Sequence, residues 1–508
     1  MKSRISALFL AVLMIFTLSA CRENSSGGSS LFEMNLAENP YNLDPQLATD
    51  PASREIIKNT YRMLIKQNGD GTLTPDACSD YVLSEDGLRY TFTIKDNIFW
   101  QSKSGFEAPL TSNDFVFAFQ RIFNKSSGSP YAEKFICIKG ARNIIYANAG
   151  YYTLNVVAPD PKTLVFELEY PCWNFLELLS DTAAAPCSEA FFKLTKGRYG
   201  LDPESDASCG AFYVSDHNFD PYWNENYIVL SRNEKNSEFD KTLPRSVTYN
   251  IKSPSENEDD FKVNDIDFLT SDSFTAVMKN ADTKAFLTKT VIIKPGTAFS
   301  EEYPELFAAL VFTSYSFEPN DSDIPENCIR AHGIIPPAVT MMGKSFRTSV
   351  SDTSLRPKKR GSITDQYYGD LRLTVRADAP YADLCFELSD YWREVLGVNI
   401  FVESVSDTEY ESIKESGYDL LVDELTATEN SPVAFLAEAG ATSEEINRIK
   451  TASSLSFATS FAAESEKTAV GELIPLLFCS EYFASKNGIK GAEYLPFEKF
   501  VIMKGAER

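Results

Sequence analysis

Histidine is almost missing from this 508-residue chain: His217 and His332 are the only two. Multi-histidine metal sites and histidine-based triads therefore have nothing to be built from. None of the nine cysteines forms a CxxC pair, which removes zinc ribbons and thioredoxin-type chemistry. Neither GxSxG nor HExxH occurs, so the common hydrolase signatures are lacking too. Carboxylate pairs such as Glu301-Glu302 and Asp259-Asp260 read as solvated faces, not as a glycosidase dyad. Positive charge is scarce: 48 Lys plus Arg against 72 Asp plus Glu leave a net charge of -24. Such a surface repels phosphate backbones, so a nucleic-acid partner is not expected. Internal repeats, heptads and apolar runs of membrane-spanning length are absent as well. What remains is 43% hydrophobic and 13% aromatic, a globular composition long enough for two or three domains.

The N-terminus carries an address. Lys2 and Arg4 form a basic start, and Ala7 to Phe16 is an unbroken apolar run. That run is too short to span a bilayer as a helix and suits a signal-peptide core. Leu18-Ser19-Ala20-Cys21 resembles a bacterial lipobox, which implies that residues 1-20 are removed and that Cys21 is lipidated. Two or more acyl chains anchor durably where one does not. Residues 22 to 30 (RENSSGGSS) read as a Ser/Gly-rich tether. The expected location is the extracytoplasmic face of the cell membrane, with the lipid as anchor.

Farther on, short strands alternate with helices. Tyr90 to Lys95 alternates apolar and polar residues, as a half-buried strand does. Thr111 and Asp114 form a capping-box-like start to an apolar-periodic helix containing Phe115, Phe119 and Ile122. Thr163 to Tyr170 reads as a strand ended by Pro171. Leu371–Val375, a helix from Tyr381 to Val395 closed by Gly397, and Val398–Val402 make a βαβ unit, so part of the C-terminal half is a parallel sheet. The fold class expected is α/β. Cys137 and Cys479 sit among apolar neighbours and read as buried thiols. Cys172 with Cys187 is the pairing expected if any bridge exists.

Several blocks, in order, resemble the family 5 extracellular solute-binding proteins, the peptide-binding lipoproteins of ABC importers. Asn42-Leu43-Asp44-Pro45-Gln46 is similar to the family's opening "NLDPQ", and Asn59 to Leu64 to its "NLYEGL". Leu83 to Trp100 matches "SxDGLxYTFxLRxxxxW" at Ser84, Asp86-Gly87-Leu88, Tyr90-Thr91-Phe92 and Trp100. Leu110 to Val116, Asp160 to Leu168, Gly210 to Tyr213, Leu396 to Ile400 and Ile474 to Leu476 continue the series. The resemblance implies a two-lobed periplasmic-binding-protein-like (type II) α/β fold with an extra domain and hinge closure around a cleft. Domain I would comprise 31-68, 185-270 and 485-508, domain II 69-184 and domain III 271-484. It implies a monomer that captures oligopeptides and hands them to ABC importer permease subunits, without cofactor or catalysis. Still open are a ligand sensor or chaperone on the same fold, and a non-peptide solute.

The site is where the pattern departs. In peptide-binding members two backbone segments pair with an extended ligand. The first maps to Thr49, Asp50 and Pro51, where Pro51 offers no N–H. The second maps to Leu425, Thr426, Thr428 and Glu429, with Leu425 in place of the family tryptophan. Thr428 replaces the aspartate that pairs with the peptide's ammonium; Glu429 or Asp423 is then the substitute, or the ammonium is not gripped. Domain III also looks trimmed, because Val311-Phe312-Thr313, aligned with a family strand, lacks the helix that normally follows.

Overall fold

The computed structural model describes residues 31–220, 226–236, 244–363 and 368–508. The leader, Cys21 and the tether lie outside the described residues. A first sheet orders the strands Leu31–Leu36, Ser246–Ile251, Tyr227–Arg232 and Phe212–Asn218. Its first pair is parallel and the other two are antiparallel. A second, antiparallel sheet orders Cys78–Leu83, Arg89–Ile94, Thr163–Glu167 and Val156–Asp160. The third is seven-stranded and runs Phe268–Ser271, Ile474–Ser485, Asp282–Pro295, Leu420–Leu425, Leu371–Arg376 and Ile400–Val405, with Cys328–Arg330 also on 474–485.

Local sequence accounts for many of these elements. Asp114 accepts the Thr111 amide at 2.8 Å and starts the helix Ser112–Phe123. That helix buries Phe115, Ala118, Phe119 and Ile122, one stripe at helical spacing, against the second sheet. The helix Ala382–Leu396 buries Leu384, Cys385, Leu388 and Trp392 and ends at Gly397, whose φ of 72° is costly for any residue with a Cβ. The strands on either side, Leu371–Arg376 and Ile400–Val405, pair in parallel as the βαβ reading requires.

Other expectations need correction. The strand before Pro171 ends at Glu167, and Leu168 only bridges Ile138. Val311–Thr313 is not a strand: it lies in the helix Pro304–Ser314, where Pro304 opens the first turn and nearly every residue is buried. Cys172 and Cys187 are not bonded, and both thiols are free and buried. Cys172 faces Asn174 at 3.3 Å, whereas Cys187 accepts from Arg121 at 3.4 Å. Cys479 is not a free thiol but forms a disulfide with Cys328, 151 residues away. The bridge is cross-strand, because Cys328 lies opposite Cys479 in the ladder.

That bridge fixes a three-residue strand on the flank of 474–485 and closes a long loop. Replacing both cysteines by serine is expected to lower stability by about 2–4 kcal/mol. Thermal melts of the wild type with and without reductant, compared with the double variant, check this; coincident melts would refute it.

The chain finally returns to the first sheet's lobe. Hairpin strands Glu493–Leu495 and Phe500–Ile502 pack beside the helix Pro51–Thr60. Asn59 donates to the Val501 carbonyl at 2.9 Å and accepts the Met503 amide at 2.8 Å.

Candidate functional site

Helix Pro51–Thr60 begins where Asp50 accepts the Ser53 amide at 2.7 Å. Proline suits this first turn, since its missing N–H has no helical partner there. Asp50 is thus occupied as a cap, Thr49 is exposed, and Pro51 lines a cavity. That cavity, about 390 Å³, lies between the helix start, the end of the strand 31–36, residues 270–272 and the C-terminal hairpin. A second of about 200 Å³ lies between residues 67–71, Phe286, Thr340 and Asn430. The third, about 90 Å³, is walled by Arg54, Lys58, Lys134, Asp181 and Glu429. Glu498 lines all three and places them side by side along one cleft.

The cleft is strongly charged. Burial pushes Glu55 up to about 8, against the Val501 amide that donates to it at 3.2 Å. Burial likewise raises Glu481 to about 7, opposed by Lys499 and by the Tyr494 hydroxyl, which donates at 3.1 Å. Glu498 is raised by burial, with Lys58 opposing; Lys58 is lowered by its own burial and donates to the Ser180 carbonyl. Burial also acts on Asp181, but Lys134 and Arg54, at 2.7 and 3.2 Å, hold it well below the usual carboxylate range.

Lys134 continues this chain of charges to Glu429 at 3.2 Å. Two neighbouring contacts join the same parts of the molecule: Trp173 donates to the Ile449 carbonyl at 2.9 Å, and the Met342 amide donates to Glu177. Of the second expected segment, Leu425 is buried in the core beside the seven-stranded sheet. Thr426 and Thr428 are exposed in the loop before the helix Pro432–Glu438, outside the three cavities. Asp423 is held by Lys294 and by Lys414, the latter at 3.0 Å, and is also outside them. The structure therefore brings Pro51 and Glu429 to the cleft and leaves Thr49, Asp50, Leu425, Thr426 and Thr428 off its walls.

Sequence reasoning missed Glu55, Lys58, Lys134, Asp181 and Glu498. Glu55 had a readable signal, because a carboxylate sits on a helix stripe with Ala52, Ile56 and Asn59, all buried. For Glu498 no local pattern exists; the return of the C-terminal hairpin alone puts it there.

Residues 72–303 match the family described as bacterial extracellular solute-binding proteins, family 5 Middle. That match covers somewhat less than half of the chain, which is similar to the family over that stretch. The chain is 29% identical over 262 residues to the oligopeptide-binding protein OppA of Bacillus subtilis (strain 168), covering 49% of this chain and 46% of that one. To the periplasmic murein peptide-binding protein MppA of Escherichia coli (strain K12) it is 28% identical over 257 residues, 49% of this chain and 45% of that one. It spans less than half the length of these curated relatives. The solved unliganded open form of a periplasmic murein tripeptide binding protein, MppA, superposes with a TM-score of 0.70 at 18% identity, over 95% of this chain and 98% of that one. The likeness identifies a type II periplasmic-binding fold with mixed α/β sheets. Among the described residues no helix is long and apolar enough to cross a membrane.

Proposed function

We propose that this chain is a family 5 extracellular solute-binding protein that captures oligopeptides in the cleft around Glu498 and delivers them to an ABC importer, acting as a binding protein and not as an enzyme. The observation that carries the reading is that three cavities share Glu498 in their walls, between the helix Pro51–Thr60 and the seven-stranded part. The family match and the peptide-binding names of the relatives support it. The lobes of this reading are 31–68 with 185–270 and 485–508, then 69–184, then 271–484. Calorimetry with an unlabelled tetrapeptide tests it: saturable 1:1 heat is expected, and no heat with any of a diverse peptide set overturns it.

Such binding leaves the peptide's α-ammonium ungripped. Thr428 has no carboxylate, Glu429 is engaged by Lys134, and Asp423 is engaged by Lys294 and Lys414. A free and an N-acetylated peptide of the same sequence are expected to differ by less than tenfold, about 1.4 kcal/mol. A loss beyond a hundredfold on acetylation would show that one of these carboxylates has become the anchor.

Membrane attachment is assigned to Cys21. The Cys21→Ser protein is expected in the soluble fraction, followed by fractionation and immunoblot; unchanged membrane retention would remove the lipid assignment.

A further inference from the structure

The chamber beside the helix Pro51–Thr60 is lined by more acidic side chains than basic ones. Its wall holds Glu38, Glu55, Asp272, Glu481 and Glu498 against the single cation Lys499. Asp272 is satisfied by Lys289 at 3.0 Å and Lys499 at 3.3 Å. Glu481 takes the Tyr494 hydroxyl and lies 3.9 Å from Lys499.

Glu55 is different. It is only 7% exposed, yet among the described residues it forms no ion pair. Its Oε1 receives the Val501 amide, and no other donor among the described residues reaches its carboxylate. Glu498, half-buried, takes no hydrogen bond from another of the described residues; Lys58 and Arg54 oppose its burial from a distance, and Lys58 donates to the Ser180 carbonyl. A carboxylate removed from water without a counter-charge is costly to a fold. Here the cost coincides with a cavity of about 390 Å³, inside the range of small-ligand pockets, ~300–1,000 Å³.

We infer that this chamber is a side-chain subsite for a lysine or arginine of the bound ligand, selected by Glu55 and Glu498. The inference rests on the peptide reading above and names its substrate class. A guanidinium or ammonium entering the chamber favours release of the Glu55 proton to solvent and then forms charge-assisted bonds with both carboxylates. An acidic side chain meets like charge in a dry site, and an apolar one leaves the carboxylates unpaired, so both are discriminated against.

The probe is an equimolar pool of tetrapeptides randomised over Lys, Arg, norleucine, Ala and Glu. Peptides retained by the purified chain are eluted and counted by mass spectrometry. Lys and Arg are expected to be enriched at least tenfold over norleucine at one position, with Glu depleted there. The double variant Glu55→Gln, Glu498→Gln is expected to retain peptides with that enrichment reduced below twofold. Glu498→Gln alone, at a half-buried position, is the second variant, with the enrichment reduced severalfold; thermal melts report that each variant is folded.

Retention without cationic enrichment, or enrichment unchanged in both variants, overturns the subsite and leaves the peptide reading standing. Enrichment that vanishes when the pool is N-acetylated assigns the chamber to the α-ammonium and overturns the side-chain assignment. No retention of any peptide overturns both readings together.

Discussion

Stability is expected to fall steadily as pH rises from about 5 to about 8.5, against the usual pattern of a neutral optimum. The cause is a set of buried carboxyls held protonated by the fold. Burial raises Glu55 to about 8, Glu177, Glu481 and Asp206 to about 7, and Asp114 to about 6. The unfolded chain releases these protons near 4.5 for glutamate and 3.8 for aspartate. Above those values the native state binds more protons than the unfolded state, so raising the pH favours unfolding. The contribution is complete below the unfolded values and lost as pH passes each folded value.

Each tenfold gain in a carboxyl's proton affinity on folding is worth about 1.4 kcal/mol, so Glu55 alone contributes on the order of several kcal/mol. Asp76 and Asp181 act in the opposite sense, because neighbouring cations outweigh their burial and hold them low. Their stabilisation is lost only as pH falls through their depressed folded values, which leaves the maximum near pH 5. Urea midpoints at a series of pH values decide the matter. A flat or rising profile between pH 5 and 8.5 would defeat it, and Glu55→Gln should flatten the slope.

Asp44→Ala is expected to cost about 3–5 kcal/mol, the penalty of stranding a buried charge. Asp44 is 2% exposed and Arg121 is 6% exposed. The guanidinium donates to both Asp44 oxygens, one at 2.9 Å, and to Gln46 Oε1 at 2.7 Å, with the ring of Phe192 4.4 Å below it. Removing the carboxylate leaves that cation with a neutral amide and an aromatic face. Changing both partners, Asp44→Leu with Arg121→Met, is expected to recover most of the loss, because paired apolar replacements of buried ions are often near neutral. Denaturant unfolding of the two single variants and the double variant gives the coupling energy. Additive losses would show that the pair is not the source of the effect.

This pair also explains why the opening motif was legible. Asn42 accepts the Asp44 amide at 2.9 Å, Asp44 binds Arg121, and Gln46 donates to the Ala185 carbonyl at 2.9 Å. Every polar residue of Asn42-Leu43-Asp44-Pro45-Gln46 has a fixed partner, so the motif identifies a fold and says nothing of a ligand. Caps and periodicities were equally readable, since the Thr111–Asp114 box and the Leu384–Trp392 stripe depend on neighbours within a few turns.

The disulfide was not, because the register that sets Cys328 opposite Cys479 is decided by a strand pairing across 151 residues. Nor was the helix over Val311–Thr313, which alignment set on a family strand and which lies in the largely buried helix Pro304–Ser314. Of the residues reached by alignment, Pro51 and Glu429 line the cavities, Leu425 is buried and Thr49, Thr426 and Thr428 are exposed. The cleft walls also draw on Glu55 from one helix and Glu498 from a hairpin that returns late in the chain.

That late return sets a schedule. Asn59 waits for Val501 and Met503, and Glu55 for the Val501 amide, partners 442 to 446 residues downstream. Until the hairpin has been synthesised, the chamber beside the helix Pro51–Thr60 lacks the wall that Tyr494, Glu498, Lys499 and Phe500 supply. The chamber of about 390 Å³ is therefore completed only when the last residues of the chain are in place.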